Sequence, residues 1–239
     1  MRQRDEMRPV TIEPFPSAAA GSVLITQGET RVLCTASVNA SLPKWIPRDE
    51  TGVAEHGWVT AEYAMIPGST PDRVRRGPSS RSTEIQRLIG RSLRAAVDMS
   101  RMPTIAVTVD CEVLYADGGT RTASITGGYV ALCQALRASR KSGLLQHDPG
   151  VAGIAAISVG IVDGEPTLDL DYPLDSRAEV DLNAVMNDRG EFIEIQGTGE
   201  KAAFSREQLD AMLALAGKGI AELEAKQREA IGRNDPGKA

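Results

Sequence analysis

The chain has 239 residues, 41% hydrophobic and 25% charged, proportions that support a buried core and exclude wholesale disorder. Its 27 Lys and Arg against 32 Asp and Glu give a net charge of -5, which taken whole argues against a nucleic-acid binder. His56 and His147 stand far apart and outside any metal-ligand spacing, so zinc chemistry and histidine bases are poorly supplied.

The charged start, Met1 to Arg8, leads into no apolar segment of secretory type, and Val151–Val162, the longest nearly apolar stretch, is too short to span a bilayer. Cys34, Cys111 and Cys133 are odd in number, form no C-x-x-C and fall in apolar stretches, reading as buried thiols in a reducing compartment. A cytoplasmic protein with no membrane partner is the expectation.

The chain opens with strand-like runs at Pro9–Ile12, Gly21–Thr26 and Thr30–Val38, with Gly28 and Glu29 turning between the last two. A loop of Pro, Gly and charge covers Pro43–Gly57, and the strand Trp58–Tyr63 is broken by Pro67-Gly-Ser-Thr-Pro71. After an Arg/Gly/Pro/Ser loop over 72–80, Ser82 or Thr83 is expected to cap a helix whose apolar face is Ile85, Leu88, Ile89, Ala96 and Val97. Arg87, Arg91 and Arg94 share one side of it. A strand over Thr104–Leu114, a turn at Asp117-Gly118-Gly119 and a helix to about Ser139 follow, with Gly127 and Gly128 implying close packing against that helix.

Gly150–Val162 reads as a buried strand or strand pair, and Thr167–Asp171 alternates in the same sense. Glu179–Met186 alternates too, placing Val180, Leu182, Ala184 and Met186 on one face and Glu179, Asp181, Asn183 and Val185 on the other. Asn187–Gly190 turns the chain into Glu191–Gln196. A capping box at Ser205 and Gln208 starts a long helix marked by Leu209, Met212, Leu213, Ile220 and Leu223, and a frayed tail is expected from Asn234 to Ala239. Strands and helices mix throughout without a linker, so one α/β domain is expected over 1–239, with its core at about 7–215 and the end of the last helix and the tail at 216–239.

Three clusters bear on chemistry. Between Asp72 and Arg101 lie eight arginines, no lysine and three acids, a local +5 that leaves -10 for the rest of the chain. Such a patch attracts phosphates, and the planar guanidinium grips them bidentately, although a solvated helix face or subunit salt bridges would use the same residues. Asp117-Gly-Gly-Thr-Arg-Thr122 puts a glycine turn before a helix, where free N–H groups, the Thr120 hydroxyl and the Arg121 charge suit an anion; it is not a Walker loop. Asp169, Asp171, Asp175 and Asp181 form the densest acidic group, and a bend after Asp175 could join it to Asp181 as a seat for a hard cation, the alternative being a solvated strand edge. Gly197-Thr-Gly-Glu-Lys-Ala202 matches a dinucleotide fingerprint but lacks the second strand that binding requires.

Together these stretches resemble the ribonuclease PH family of phosphorolytic exoribonucleases. The resemblance is carried by Arg8-Pro-Val, Gly57-Trp-Val-Thr-Ala-Glu-Tyr63, Glu84-Ile-Gln-Arg-Leu-Ile-Gly-Arg-Ser-Leu-Arg94, Asp117 through Gly127, and Asp169-Leu-Asp-Tyr through Asp175-Ser to Asp181-Leu-Asn183, in the family's order over about residues 7–215. It implies an α/β (α+β) fold of the ribosomal protein S5 domain 2 type, with βαβ units and helices on mixed sheets, assembled as a homohexamer, a trimer of dimers. It implies phosphate held by Arg81, Gly119, Thr120 and Arg121. It implies magnesium or manganese on Asp175 and Asp181, and catalysis by Asp175, Asp181, Arg81 and Arg121. RNA, namely tRNA-precursor 3′ ends, would meet Arg73, Arg75, Arg76 and Arg87, and inorganic phosphate would be the co-substrate.

Two departures stand out. Where the family commonly reads Met-Leu-Pro-Arg-Ala-Thr this chain has Met65-Ile-Pro-Gly-Ser-Thr70, losing an arginine expected to contact RNA or a neighbouring subunit. The 72–80 loop is also shorter than usual and Pro47–His56 longer, and Arg73, Arg75 and Arg76 are the candidates to compensate. Two rival functions use the same residues: a catalytically silent RNA-binding ring subunit of an exosome-like assembly, which has no need of the acid pair, and a small-molecule phosphotransferase, which lacks its nucleotide motifs.

Overall fold

A computed structural model describes residues 2–233; the tail expected to fray, Asn234–Ala239, lies outside the described residues. Alternating apolar residues build the first sheet from β1 (Val10–Pro14), β2 (Gly21–Gln27), β3 (Thr30–Asn39), β4 (Trp58–Met65) and β5 (Ala106–Tyr115), in the order β1-β2-β3-β5-β4. All pairs are antiparallel except β4 with β5, which helix α1 (Ser80–Ala95) joins as a βαβ unit. The second sheet, wholly antiparallel, has the order β7-β6-β8-β9, with β6 at Ile154–Val162, β7 at Glu165–Leu168, β8 at Val180–Asn187 and β9 at Phe192–Gly199.

Helix α2 (Thr120–Lys141) lies between the sheets and packs on β2, β3, β5 and β6. It is buried on nearly every side, as a helix with two sheets for neighbours must be. The expected close packing occurs at Gly127, where a Cβ would stand 2.7 Å from Ile25 Cγ2 and 2.9 Å from Cys34 Sγ. Helix α4 (Arg206–Arg233) crosses β6 and β7 and reaches β1, burying Met212, Ala216, Ile220, Leu223 and Ala230. One apolar cluster runs through residues of both sheets and of α1, α2 and α4.

The structure corrects the sequence reading at four places. Helix α1 begins three residues early: Ser79, not Ser82 or Thr83, is the cap, its Oγ accepting from Ser82 N at 3.0 Å while Ser82 Oγ accepts from Ser79 N at 2.8 Å. Of the Gly150–Val162 stretch only Ile154–Val162 is strand, the single strand of the two alternatives, and residues 150–153 are irregular chain. The Thr167–Asp171 alternation stops at Leu168, because Asp169 takes a left-handed φ of 56° and sends the chain into the short helix α3 (Tyr172–Asp175), which periodicity did not reveal. On β8 the face expected to be polar buries Asn183 and Val185. Cross-strand partners point the same way, so Asn183 and Val185 share a face with Gln196 and Glu194 of β9 and with Ser158 and Ala156 of β6. Helices α1 and α2 cover that face, leaving it open at Asp181.

Candidate active site

A cleft of about 570 Å³ opens where α1, α2, α3 and β8 converge. Because α1 starts at Ser80, Arg81 sits in its first turn and lines the cleft. Opposite, β5 ends and Gly118 and Gly119 follow with φ of 73° and 66°, values that favour glycine. Gly119 caps α2 without any side-chain hydrogen bond, so the first N–H groups of α2 keep their capacity for an anion. Thr120 is held by its hydroxyl, 2.9 Å from Tyr63 Oη, and burial raises the pKa of that tyrosine.

Arg121 follows, its side chain only 17% exposed. Its Nη1 donates to Glu84 Oε1 at 3.3 Å and to Gln196 Oε1 at 3.1 Å.

The acids come from the other wall. Asp171 caps α3 through a bond from Leu174 N at 3.0 Å, which carries Asp175 to the cleft at the helix's end. Burial raises the Asp175 pKa against the pull of Arg81 and Arg121, with Glu200 adding to the rise. Asp181 is pushed up to about 6, first by burial and then by Asp175, while Arg121 opposes. Asp175 thus lies in the field of both guanidinium groups, and Asp181 in that of Arg121 and of Asp175. Asn183 Nδ2 lies 3.5 Å from Asp181 Oδ2.

A buried ion pair braces both walls. Asp169, fully buried, accepts from Arg8 N at 2.8 Å, Nε at 3.0 Å and Nη2 at 2.6 Å, from Gln27 Nε2 at 2.8 Å and from Arg2 Nη1 at 3.1 Å. Arg8 Nη1 in turn donates to the Asp117 carbonyl, just before the glycine turn. A Cβ at Gly118 would collide with the Leu170 carbonyl, so the anion-type turn and the acid-bearing segment touch through backbone.

Of the expected site residues, Arg81, Gly119, Thr120, Arg121, Asp175 and Asp181 meet in this cleft. Arg73, Arg75 and Arg76 do not line it; they are exposed on the β4–α1 loop. Arg87 lines a separate shallow hollow with Trp58, Arg91 and Arg94, where Arg94 stacks 4.5 Å above the Trp58 ring. Asp169 and Asp171 leave the acidic group for the buried pair and the α3 cap. His56 bonds Gly57 O at 2.7 Å and His147 is exposed, and neither lines the cleft.

Sequence reasoning missed Thr70, Ser158, Asn183, Glu200 and Lys201 as lining residues. Asn183 was findable, two positions from Asp181 on the same strand face. Glu200 and Lys201 stood inside the stretch discounted as a dinucleotide fingerprint, and Thr70 and Ser158 carried no local signal.

The profile of the 3′ exoribonuclease family, domain 1, matches residues 6–137, and that of domain 2 matches residues 153–219. Ribonuclease PH of Corynebacterium glutamicum is 52% identical over 237 residues, covering 97% of this chain and 95% of the relative. Ribonuclease PH of Corynebacterium efficiens is 51% identical over the same length. Among solved structures, a chain of the Archaeoglobus fulgidus exosome with RNA bound to the active site superposes with a TM-score of 0.80 at 22% identity, covering 94% of this chain and 90% of that one. A chain of an archaeal exosome core gives 0.74 at 21% identity, covering 95% and 89%. The fold is thus the one found in those exosome subunits, and with half its residues identical to two ribonucleases PH along nearly its whole length, the chain belongs to the ribonuclease PH family.

Proposed function

We infer that the protein is a phosphorolytic 3′-to-5′ exoribonuclease, trimming RNA by transfer of the terminal nucleotide to inorganic phosphate. The observation that carries this reading is the meeting of Arg81 and Arg121 with Asp175 and Asp181 in one cleft beside the uncapped start of α2. Acyl or hydrolytic chemistry usually calls for an activated protein nucleophile or base. Phosphorolysis needs neither, since orthophosphate is itself the nucleophile, and it needs two phosphates placed in line with their repulsion offset.

In this scheme the guanidiniums of Arg81 and Arg121, the Thr120 hydroxyl and the N–H groups after Gly119 hold orthophosphate. One of its oxygens attacks the phosphorus of the last phosphodiester. The bond to the 3′ oxygen of the preceding nucleotide breaks, that oxygen takes up a proton as the new 3′ hydroxyl, and the terminal residue leaves as a nucleoside 5′-diphosphate. Asp175 and Asp181 fit a hard divalent cation, magnesium or manganese, because such ions accept one or two carboxylates and complete their shell with phosphate oxygens and water. When bound, that ion supplies positive charge to phosphate oxygens. Among the described residues no group of three or more His, Cys, Asp or Glu is placed to hold a metal ion by itself.

We propose that tRNA-precursor 3′ ends are the substrate, that the protein works in the cytoplasm as a homohexamer arranged as a trimer of dimers, and that Arg73, Arg75, Arg76 and Arg87 contact RNA outside the cleft. No helix among the described residues is long and apolar enough to cross a membrane. The acid pair standing beside the arginines favours an enzyme over a silent ring subunit.

The deciding experiment is incubation of the protein with a short RNA and magnesium, with and without orthophosphate. Nucleoside diphosphates appearing only with phosphate are expected; phosphate-independent release of monophosphates would overturn the reading.

A further inference from the structure

Arg121 is not free to choose its orientation. Both acceptors within reach, Glu84 Oε1 and Gln196 Oε1, contact the same nitrogen, Nη1, and Gln196 Nε2 donates to Glu84 Oε1 at 3.3 Å to close a three-membered network. Among the described residues, Nη2 and Nε of Arg121 have no hydrogen-bond acceptor. The edge of the fork that they form remains available for a bidentate contact with a tetrahedral anion, while the opposite corner is pinned.

The network spans three elements. Glu84 lies one turn after Arg81 on α1, Arg121 is in the first turn of α2, and Gln196 is on edge strand β9. Seven residues beyond Glu84 on the same helix, Arg91 makes a bidentate pair with Glu194, two residues before Gln196, at 2.6 and 3.1 Å. Two turns of helix return to the same face and two residues of strand return to the same side. Helix α1 and β9 are therefore fastened at two points, and the one nearer the cleft holds the guanidinium. An exposed ion pair would contribute little, but Arg121 is mostly buried and shares its acceptors with a neutral amide, so the pair orients more than it neutralises.

We propose that Glu84 and Gln196 are positioning residues that set the Arg121 guanidinium for inorganic phosphate and thereby determine phosphate affinity. The proposal rests on the phosphorolytic reading given above. It also makes α1 responsible for both halves of the phosphate clamp, since the helix carries Arg81 itself and the carboxylate that holds Arg121.

The test measures KM for phosphate in RNA degradation, and phosphate binding by calorimetry without RNA, for wild type, Glu84→Ala, Gln196→Ala and the double variant Glu84→Gln/Gln196→Glu. The alanine variants are expected to raise KM for phosphate and weaken phosphate binding by about tenfold, as for loss of one charge-assisted hydrogen bond, with a smaller change in kcat. The double variant, which moves the carboxylate to the other side of Nη1, is expected to recover most of that loss, a rescue that a merely structural role would not give. Unchanged phosphate affinity in folded Glu84→Ala and Gln196→Ala, or no recovery in the double variant, overturns the proposal. Wild type that degrades RNA without phosphate would instead overturn the functional reading on which it stands.

Discussion

Asp181 is held at a cost to the fold, and that cost can be measured. Its carboxyl is pushed from the ordinary 3.8 to about 6 by burial and by Asp175, so the folded state binds the Asp181 proton more tightly than the unfolded chain does. Below the unfolded value both states are protonated and nothing is lost; as pH rises from 3.8 to about 6 stability falls, and above that the full penalty persists. At about 1.4 kcal/mol per pH unit, a rise from 3.8 to about 6 corresponds to roughly 3 kcal/mol. Asp181→Asn removes the charge while keeping size and one acceptor. Without divalent metal at pH 7.5, the variant should be more stable than wild type by ~1.5–3 kcal/mol, about 3–10 °C in Tm for a chain of this length. The gain should shrink towards pH 5. The same variant should lose turnover while keeping RNA binding. Urea and thermal unfolding in chelator across pH 5–8 provide the assay. A variant as stable as wild type or less so at pH 7.5, or a difference indifferent to pH, would refute the assignment of Asp181 as an electrostatically strained acid.

Other perturbations read different parts of the structure. Arg8→Met strands the Asp169 carboxylate in the interior with fewer donors and should destabilise by ~3–5 kcal/mol in urea unfolding; a loss below 1 kcal/mol would mean that Gln27 and Arg2 suffice. Gly127→Ala drives a methyl against Ile25 and Cys34, so it should lower stability by ~1–3 kcal/mol despite the better helix propensity of alanine, and a stabilised variant would contradict the tight packing of α2. Replacing Arg73, Arg75 and Arg76 together with serine should weaken RNA binding and flatten its salt dependence, lowering the slope of log affinity on log salt by ~2, with phosphate affinity unaltered. An unchanged salt slope would remove that loop from the RNA path.

How much was legible in the sequence follows from how local each signal was. The glycine turn at Gly118 and Gly119 announces itself because a positive φ has few other solutions, and Arg121 comes with it. Arg81 was legible as charge but its placement depended on a serine–serine capping box, in which a hydroxyl does the work usually given to Glu or Gln; Ser82 was therefore read as the cap when it is the reciprocating partner. The β8 alternation gave the right faces and the wrong burial, since nothing within Glu179–Met186 reports that α1 and α2 will close over Asn183 and Val185. Helix α3 is four residues long, too brief for any periodicity, and only the cap at Asp171 and Pro173 marks it. Arg8 and Asp169 are 161 residues apart, so their pairing has no footprint in a single sequence. Of the three cysteines read as buried thiols, Cys34 and Cys111 are buried and face each other across β3 and β5, beneath the Ser124 carbonyl, whereas Cys133 is only half-buried, its pKa still pushed up to about 12 by burial.

The net charge takes on a different meaning at the scale of the cleft. Arg81, Arg121 and Lys201 line it together with Asp175, Asp181 and Glu200, a formal balance of zero within a protein carrying -5. The balance is internally strained: burial and Glu200 oppose the ionised form of Asp175 while each arginine favours it, and Asp181 is opposed by burial, Asp175 and Glu200 with Arg121 alone of the two arginines pulling the other way. An anion that engages the guanidiniums takes away the charge that keeps the carboxylates ionised, and a cation that engages the carboxylates takes away the attraction that competes for the guanidiniums. Ligands of opposite sign must then favour each other's binding, and reciprocally so, because the coupling is a single free energy. A cleft with uniformly positive walls would bind phosphate more tightly on its own and gain nothing from the second ligand. In the scheme proposed above, the mixed lining gives up affinity for either ligand alone and makes each depend on the other, which suits a reaction that must bring a phosphate dianion against a phosphodiester.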